Sequence, residues 1–144
     1  MKKNIFKLVF RLFVIGFFLF GILIVFVLNP TLLYAHRTEF KNYNVFHNKP
    51  INNTFCIRID SALEIIKKSE LYDSNIEFDI CLNDGSIYPS LLEIFLGKAF
   101  ALGFTSNKIA ICGDLNSSEN YVEVNDYKWN LIQLIAHEAT HCLV

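Results

Sequence analysis

Beyond residue 28 the chain is short of positive charge. Of its 13 Lys and Arg, four (Lys2, Lys3, Lys7 and Arg11) precede residue 12, and the remaining nine stand against 14 acids, a formal charge of 9 − 14 = −5 for that part. Such a balance excludes a surface that tracks nucleic-acid phosphates, and the basic residues left there are scattered singly apart from Lys67-Lys68, which reads as a solvated helix face. The four cysteines never fall at the CxxC spacing of a metal knuckle. Gly16 and Gly21 are five apart, so the apolar N-terminal stretch lacks the GxxxG spacing of a helix-pairing face. There is no repeat or low-complexity tract after that stretch.

What the chain does have is one long apolar run. Residues 12–28 are 17 consecutive apolar or glycine positions, enough for a helix of about 25 Å, close to the hydrocarbon thickness of a bilayer. Residues 5–10 extend it if Lys7 and Arg11 snorkel. All the flanking charge on the N-terminal side is basic, so the positive-inside rule places the N-terminus in the cytoplasm and the rest outside. The alternative is a signal peptide cleaved after Leu33-Tyr34-Ala35, which would release a secreted protein. On the outer side Cys56, Cys81, Cys112 and Cys142 make an even set in a compartment where disulfides persist, with three possible pairings.

The order of elements predicts an α+β domain in which a small mixed sheet is covered by helices. Asn29-Pro30 ends the membrane helix, so the division expected is an anchor over 1–30, a connector over 31–42 and an extracytoplasmic domain over 43–144. Residues 43–47, 54–59, 75–82, 107–112 and 121–124 read as strands; Phe55, Ile57 and Ile59 share one face of the second, and Ile76, Phe78 and Ile80 one face of the third. Capping boxes at Ser61/Glu64 and Ser90/Glu93 predict helices from about 61 to 72 and from 90 to 102. Residues 83–86 form a turn and 113–120 a polar loop. Asn125 or Asp126 is expected to cap a final helix whose apolar residues, Trp129, Leu131, Ile132, Leu134, Ile135, Ala136 and Ala139, cover most of its circumference and mark it as buried.

That helix carries His137-Glu138-Ala139-Thr140-His141. Two histidines four apart lie one turn apart on one helix face, where their imidazoles can converge on a single ion, and Glu138 falls beside them as a proton acceptor. Two neutral imidazoles need a third protein ligand to form a catalytic zinc site that keeps an open position. His36 and His47 read as surface residues near the membrane, and Asp114 and Glu119 as solvated loop acids. Asn52-Asn53-Thr54 and Asn116-Ser117-Ser118 match the glycosylation sequon.

The segment from Ile135 to His141 resembles the active-site helix of the zincin metallopeptidases, in particular the gluzincins. The resemblance implies zinc ligation by His137 and His141, general-base catalysis by Glu138, a peptide or protein substrate, and an edge strand beside the cleft supplied by residues 121–124 or 107–112. It covers the motif specifically, and the preceding hundred or so residues only in pattern. In gluzincins the third ligand is a Glu on a later helix, and in metzincins a His six positions after the second; position 147 lies past Val144. The expectation is a membrane-anchored zinc-peptidase-like chain, tied to the bilayer through residues 5–28 and cut short after its active-site helix. The alternative is a non-catalytic, membrane-anchored binding or structural protein with a zincin-like domain.

Overall fold

A computed structural model describes residues 2–104 and 107–143, with the side chains of residues 2–6 and of Phe104 left aside. Lys2 and Lys3, expected at the inner end of the span, are among those side chains. Met1 and Val144 lie outside the described residues.

Helix α1 (Lys2–Leu28) is the apolar run. Its segment Lys7–Leu28 is long and apolar enough to cross a membrane, and none of it is buried within the protein. Pro30–Leu33 follows as a single 3-10 turn, with proline at its start where no backbone donor is needed. The stretch 31–42, expected as a connector, holds the rest of that turn and one five-residue strand. Strand β1 (His36–Phe40) pairs antiparallel with β2 (Tyr43–His47) across a tight turn in which Lys41 adopts φ 52°.

The stretch 54–59 is not a strand. It opens helix α2 (Asn53–Ile66), capped by the Asn52 side chain, which accepts from the Phe55 N–H at 2.8 Å. Phe55, Ile59, Ala62, Leu63 and Ile66 recur at helical spacing on the buried side, while Ile57 is exposed. A six-residue alternation fits both periods, and the Asn cap with the longer 3.6-residue pattern decides for helix. Ser61 lies inside α2 with its hydroxyl on the Ile57 carbonyl, so the expected capping box is not a helix start.

Strand β3 (Phe78–Cys81) falls inside the expected strand. Helix α3 (Tyr88–Leu96) starts two residues before Ser90 and stops at Gly97, φ 78°, well short of Leu102. The chain then returns as β4 (Ala101–Phe104) and β5 (Lys108–Ile111). The expected polar loop 113–120 contains β6 (Asp114–Asn116), the first strand of an antiparallel meander with β7 (Tyr121–Val124) and β8 (Tyr127–Asn130). Asn125 and Asp126, expected as helix caps, are the two-residue turn of the β7–β8 hairpin, with φ of 49° and 66°, the left-handed pair that Asn and Asp tolerate in type I′ turns. Trp129 therefore sits on β8, and helix α4 (Leu131–Leu143) begins only after it, capped by Asn130, whose Oδ1 accepts from the Gln133 N–H.

The larger sheet has the order β1-β2-β3-β5-β4, with β2, β3 and β5 parallel and both edge strands antiparallel. Side chains alternate across it. Tyr43, Val45, Phe78, Ile80, Ile109, Ile111 and Ala101 face one way and pack under α2 and α4; Phe46, Cys81, Ala110, Leu102 and Cys112 face the other, under α3, the 3-10 turn and the end of α1. The mixed α+β architecture expected from the sequence is present.

The turn after β3 is fastened to the segment leading into α2 by one carboxylate. Asp84 Oδ2 accepts from the N–H of Asn48 at 2.5 Å and of Lys49 at 2.8 Å. Hydrogen bonds to a charged acceptor contribute more than neutral ones, so Asp84→Ala should lower unfolding stability by about 2 kcal/mol, with Asp84→Asn recovering part of the loss. Chemical unfolding of the three proteins checks this.

Candidate functional site

Helix α4 turns an apolar stripe, Leu131, Leu134, Ile135 and Ala139, into the core against α2 and the sheet. Glu138 lies seven residues after Leu131, on that same stripe, and is 8% exposed. His137 and His141 lie on the flank of the helix and are exposed. The helix expected to be buried is so along one stripe: one carboxylate lies in it, and the two imidazoles reach solvent.

A buried carboxylate needs a donor. Glu138 Oε2 accepts from the Gly103 backbone N–H at 2.6 Å. Gly103 is on β4, an edge of the large sheet, and the helix backbone presses directly on it. A Cβ at position 103 would stand 2.5 Å from the Glu138 carbonyl oxygen and 3.2 Å from Glu138 Oε2. Glycine here is a requirement of packing: the edge strand and the helix meet backbone to backbone. The edge strand beside the motif is therefore β4, from a segment expected to end a helix, rather than residues 107–112 or 121–124.

The two imidazoles converge. Their Nε2 atoms are 3.2 Å apart, with the rings at 86° to each other. Two ligand nitrogens at zinc bond lengths of 2.0–2.1 Å and the tetrahedral angle stand about 3.3–3.4 Å apart. The observed separation is close to that bite, and it is equally a hydrogen bond if one ring donates and the other accepts. His137 also meets Trp129 in a tilted ring contact, centroids 5.7 Å apart, and Trp129 meets Phe100 edge to face at 5.6 Å. Trp129 and Gly103 are the neighbours of the motif that sequence reasoning missed. The Asn125-Asp126 pair was the signal for the hairpin that carries Trp129, whereas nothing local marks Gly103.

Among the described residues no group of three or more His, Cys, Asp and Glu side chains could hold a metal ion. His36 and His47 are cross-strand partners on β1 and β2, 5.5 Å apart by ring centroid. His47 is buried, not on the surface: its Nδ1 lies 2.9 Å from the Lys49 carbonyl and its Nε2 2.9 Å from the Thr38 hydroxyl. A carbonyl only accepts, so Nδ1 donates to it, and both ring nitrogens have a partner. Asp114 lines a polar cleft of about 270 Å³ with Glu93, Lys98 and Glu123; Glu119 lies in the turn between β6 and β7. Neither acid joins the histidine pair.

Cys56, Cys81 and Cys112 are free thiols, and the Cys142 Sγ donates to the Lys108 carbonyl at 3.5 Å. The four are dispersed over α2, β3, the end of β5 and α4. Burial, then the nearby Asp79, pushes the Cys81 thiol up from 9.0 to about 12. Burial first, then Glu138 and Glu93, pushes Cys112 up to about 12 as well. Burial also raises Tyr34, Tyr43 and Tyr88.

Two outcomes follow from this geometry. Gly103→Ala should force α4 away from β4 and cost about 1–3 kcal/mol, the usual range for overpacking, with exchange protection of the amide at position 103 lost; unfolding and hydrogen exchange measure both. For the thiols, a folded pKa above the unfolded one contributes stability that is complete below about 9 and lost as pH rises toward 12. Stability should therefore fall across that window, less steeply in Cys81→Ala, as chemical unfolding at a series of pH values would show.

No family model matches the chain, no curated protein matches it, and no solved structure matches it.

Proposed function

We propose that the chain is a membrane-anchored, zinc-metallopeptidase-like protein, its domain outside the cytoplasm, in which His137 and His141 are two zinc ligands and Glu138 is the general base acting on a peptide or protein substrate. The observation that carries this reading is the 3.2 Å separation of the two Nε2 atoms on adjacent turns of α4. The donor set fits two positions of a tetrahedral site, and the described residues offer no third protein ligand. A zinc ion held there would supply Lewis acidity near neutral pH.

The chain's own residues prepare the rest. Trp129 limits rotation of the His137 ring. The Gly103 N–H fixes one oxygen of Glu138, leaving the other as the acceptor for a proton. The apolar length of α1 supports anchoring. The segment at the signal-peptide alternative is built into the domain: Tyr34 donates to the Leu82 carbonyl and the Ala35 N–H to Asn48. That integration favours an uncleaved anchor over release near Ala35.

The second reading, a non-catalytic binding or structural protein, draws on the same Glu138–Gly103 bond, which by itself fastens helix to strand. Metal analysis and peptide hydrolysis on the full chain separate the two. The expected result is about one zinc per wild-type chain. His137→Ala or His141→Ala should weaken zinc binding by more than the roughly 10–100-fold that loss of an outer-shell partner costs. Glu138→Gln should retain zinc and lose hydrolysis. A folded wild-type chain that takes up no zinc from solution would sink the proposal in favour of the structural reading.

A further inference from the structure

Helix α3 presents a second apolar face that the protein does not cover. Tyr88, Pro89 and Leu92 are buried, Tyr88 and Leu92 against Phe46, Cys81 and Ala110 of the sheet. Turned away from Leu92, Ile87, Ile94 and Phe95 are 60%, 75% and 52% exposed, with Leu91 half-buried between them. Positions 87, 91, 94 and 95 follow the i, i+4, i+7, i+8 spacing of one helix stripe. A soluble domain rarely leaves so many large apolar side chains together on nine residues of helix.

The position of α3 indicates what meets this stripe. The elements packed against the end of α1 are the 3-10 turn and α3. The Tyr88 hydroxyl donates to the Val27 carbonyl at 3.2 Å, and Val27 packs into the small core under α3. Leu23, Phe26 and Val27 are partly covered, while the residues around them on α1 are open. Leu23 lies five residues before Leu28, about 7 Å along the helix axis. The covered face therefore runs back into the segment long and apolar enough to cross a bilayer. Leu32, 63% exposed, adds an apolar side chain from the 3-10 turn beside it.

We propose that the outer stripe of α3, Ile87, Leu91, Ile94 and Phe95, is a lipid-contact surface that lies in the bilayer interface beside the emerging α1 and holds the domain down on the membrane. This rests on the reading of α1 as a membrane span. It binds the bilayer as an interfacial amphipathic helix does, by burying one apolar face at the headgroup boundary. Tethering at a second line, in addition to α1, restricts rotation of the domain about its anchor and keeps the histidine pair at a set height above the lipid.

Tryptophan placed in the full chain, reconstituted in vesicles whose lipids carry bromine at defined acyl depths, tests this. Trp129 provides the reference emission in every protein. Ile94→Trp and, separately, Phe95→Trp should each add emission quenched most strongly by shallow bromines. Val14→Trp, in the middle of α1, should be quenched by deep ones, and Glu64→Trp on the far helix α2 by neither. Quenching at Val14 with none at 94 or 95 overturns the proposal and leaves the anchor standing; no quenching at any position overturns both. Shielding at 94 that ignores bromine and follows protein density in the vesicle would assign the stripe to a second protein, and also overturns it.

Discussion

The contact between α4 and β4 is the constraint on which the rest of the site depends. A helix can approach a strand to backbone distance only where the strand has no side chain in the way, and Gly103 provides that gap. The same approach brings Glu138 within 2.6 Å of an edge-strand amide, which lets a carboxylate occupy a position on an otherwise apolar stripe. Burial of an unpaired carboxylate would cost several kcal/mol; the amide offsets it and fixes the orientation of the group. With Glu138 turned inward, the 100° step per residue carries His137 to the flank, and His141 follows it one turn later. The open imidazole pair and the buried acid are one geometric consequence.

The sequence made some of this legible and hid the rest for definite reasons. Residues 12–28 were readable as one helix because no other structure accommodates 17 consecutive apolar or glycine residues beside a basic end. The parallel strands at 43–47, 78–81 and 108–111 were readable because they are short and apolar between turn residues. The misreadings share a cause, namely local signals that satisfy two structures. Phe55, Ile57 and Ile59 alternate, yet Ile57 is exposed on a helix whose true stripe continues to Ile66. Asn125-Asp126 serves as cap or as hairpin turn, and the hairpin moves Trp129 from helix to strand. For the site, the ligand spacing was local and visible, whereas its support by Gly103 and Trp129 arises from pairings no window of sequence contains.

The two faces of the large sheet divide the labour of the fold. One, under α2 and α4, holds nearly all the aliphatic core and positions the motif. The other is small and joins α3 to the base of α1. Tyr88 and Tyr34 stitch that second layer through their hydroxyls, to Val27 and Leu82 respectively. A domain carried on a free linker would need neither bond. Here the orientation of the domain relative to α1 is set by packing and hydrogen bonding.

The buried thiols of Cys81 and Cys112 fit this division. An even number of cysteines outside the cytoplasm reads as a disulfide framework, yet Cys81 and Cys112 lie on the small-core face and are both driven toward the neutral form by burial. The thiolate is the species that attacks disulfides and is oxidised. With pKa values of about 12, these two thiols are almost wholly protonated at neutral pH, so an oxidising environment reaches them slowly even without a bridge. They act as small apolar residues. Glu138 contributes to that state at Cys112, so the buried carboxylate that orders the motif on one face of the sheet also helps keep a thiol inert on the other.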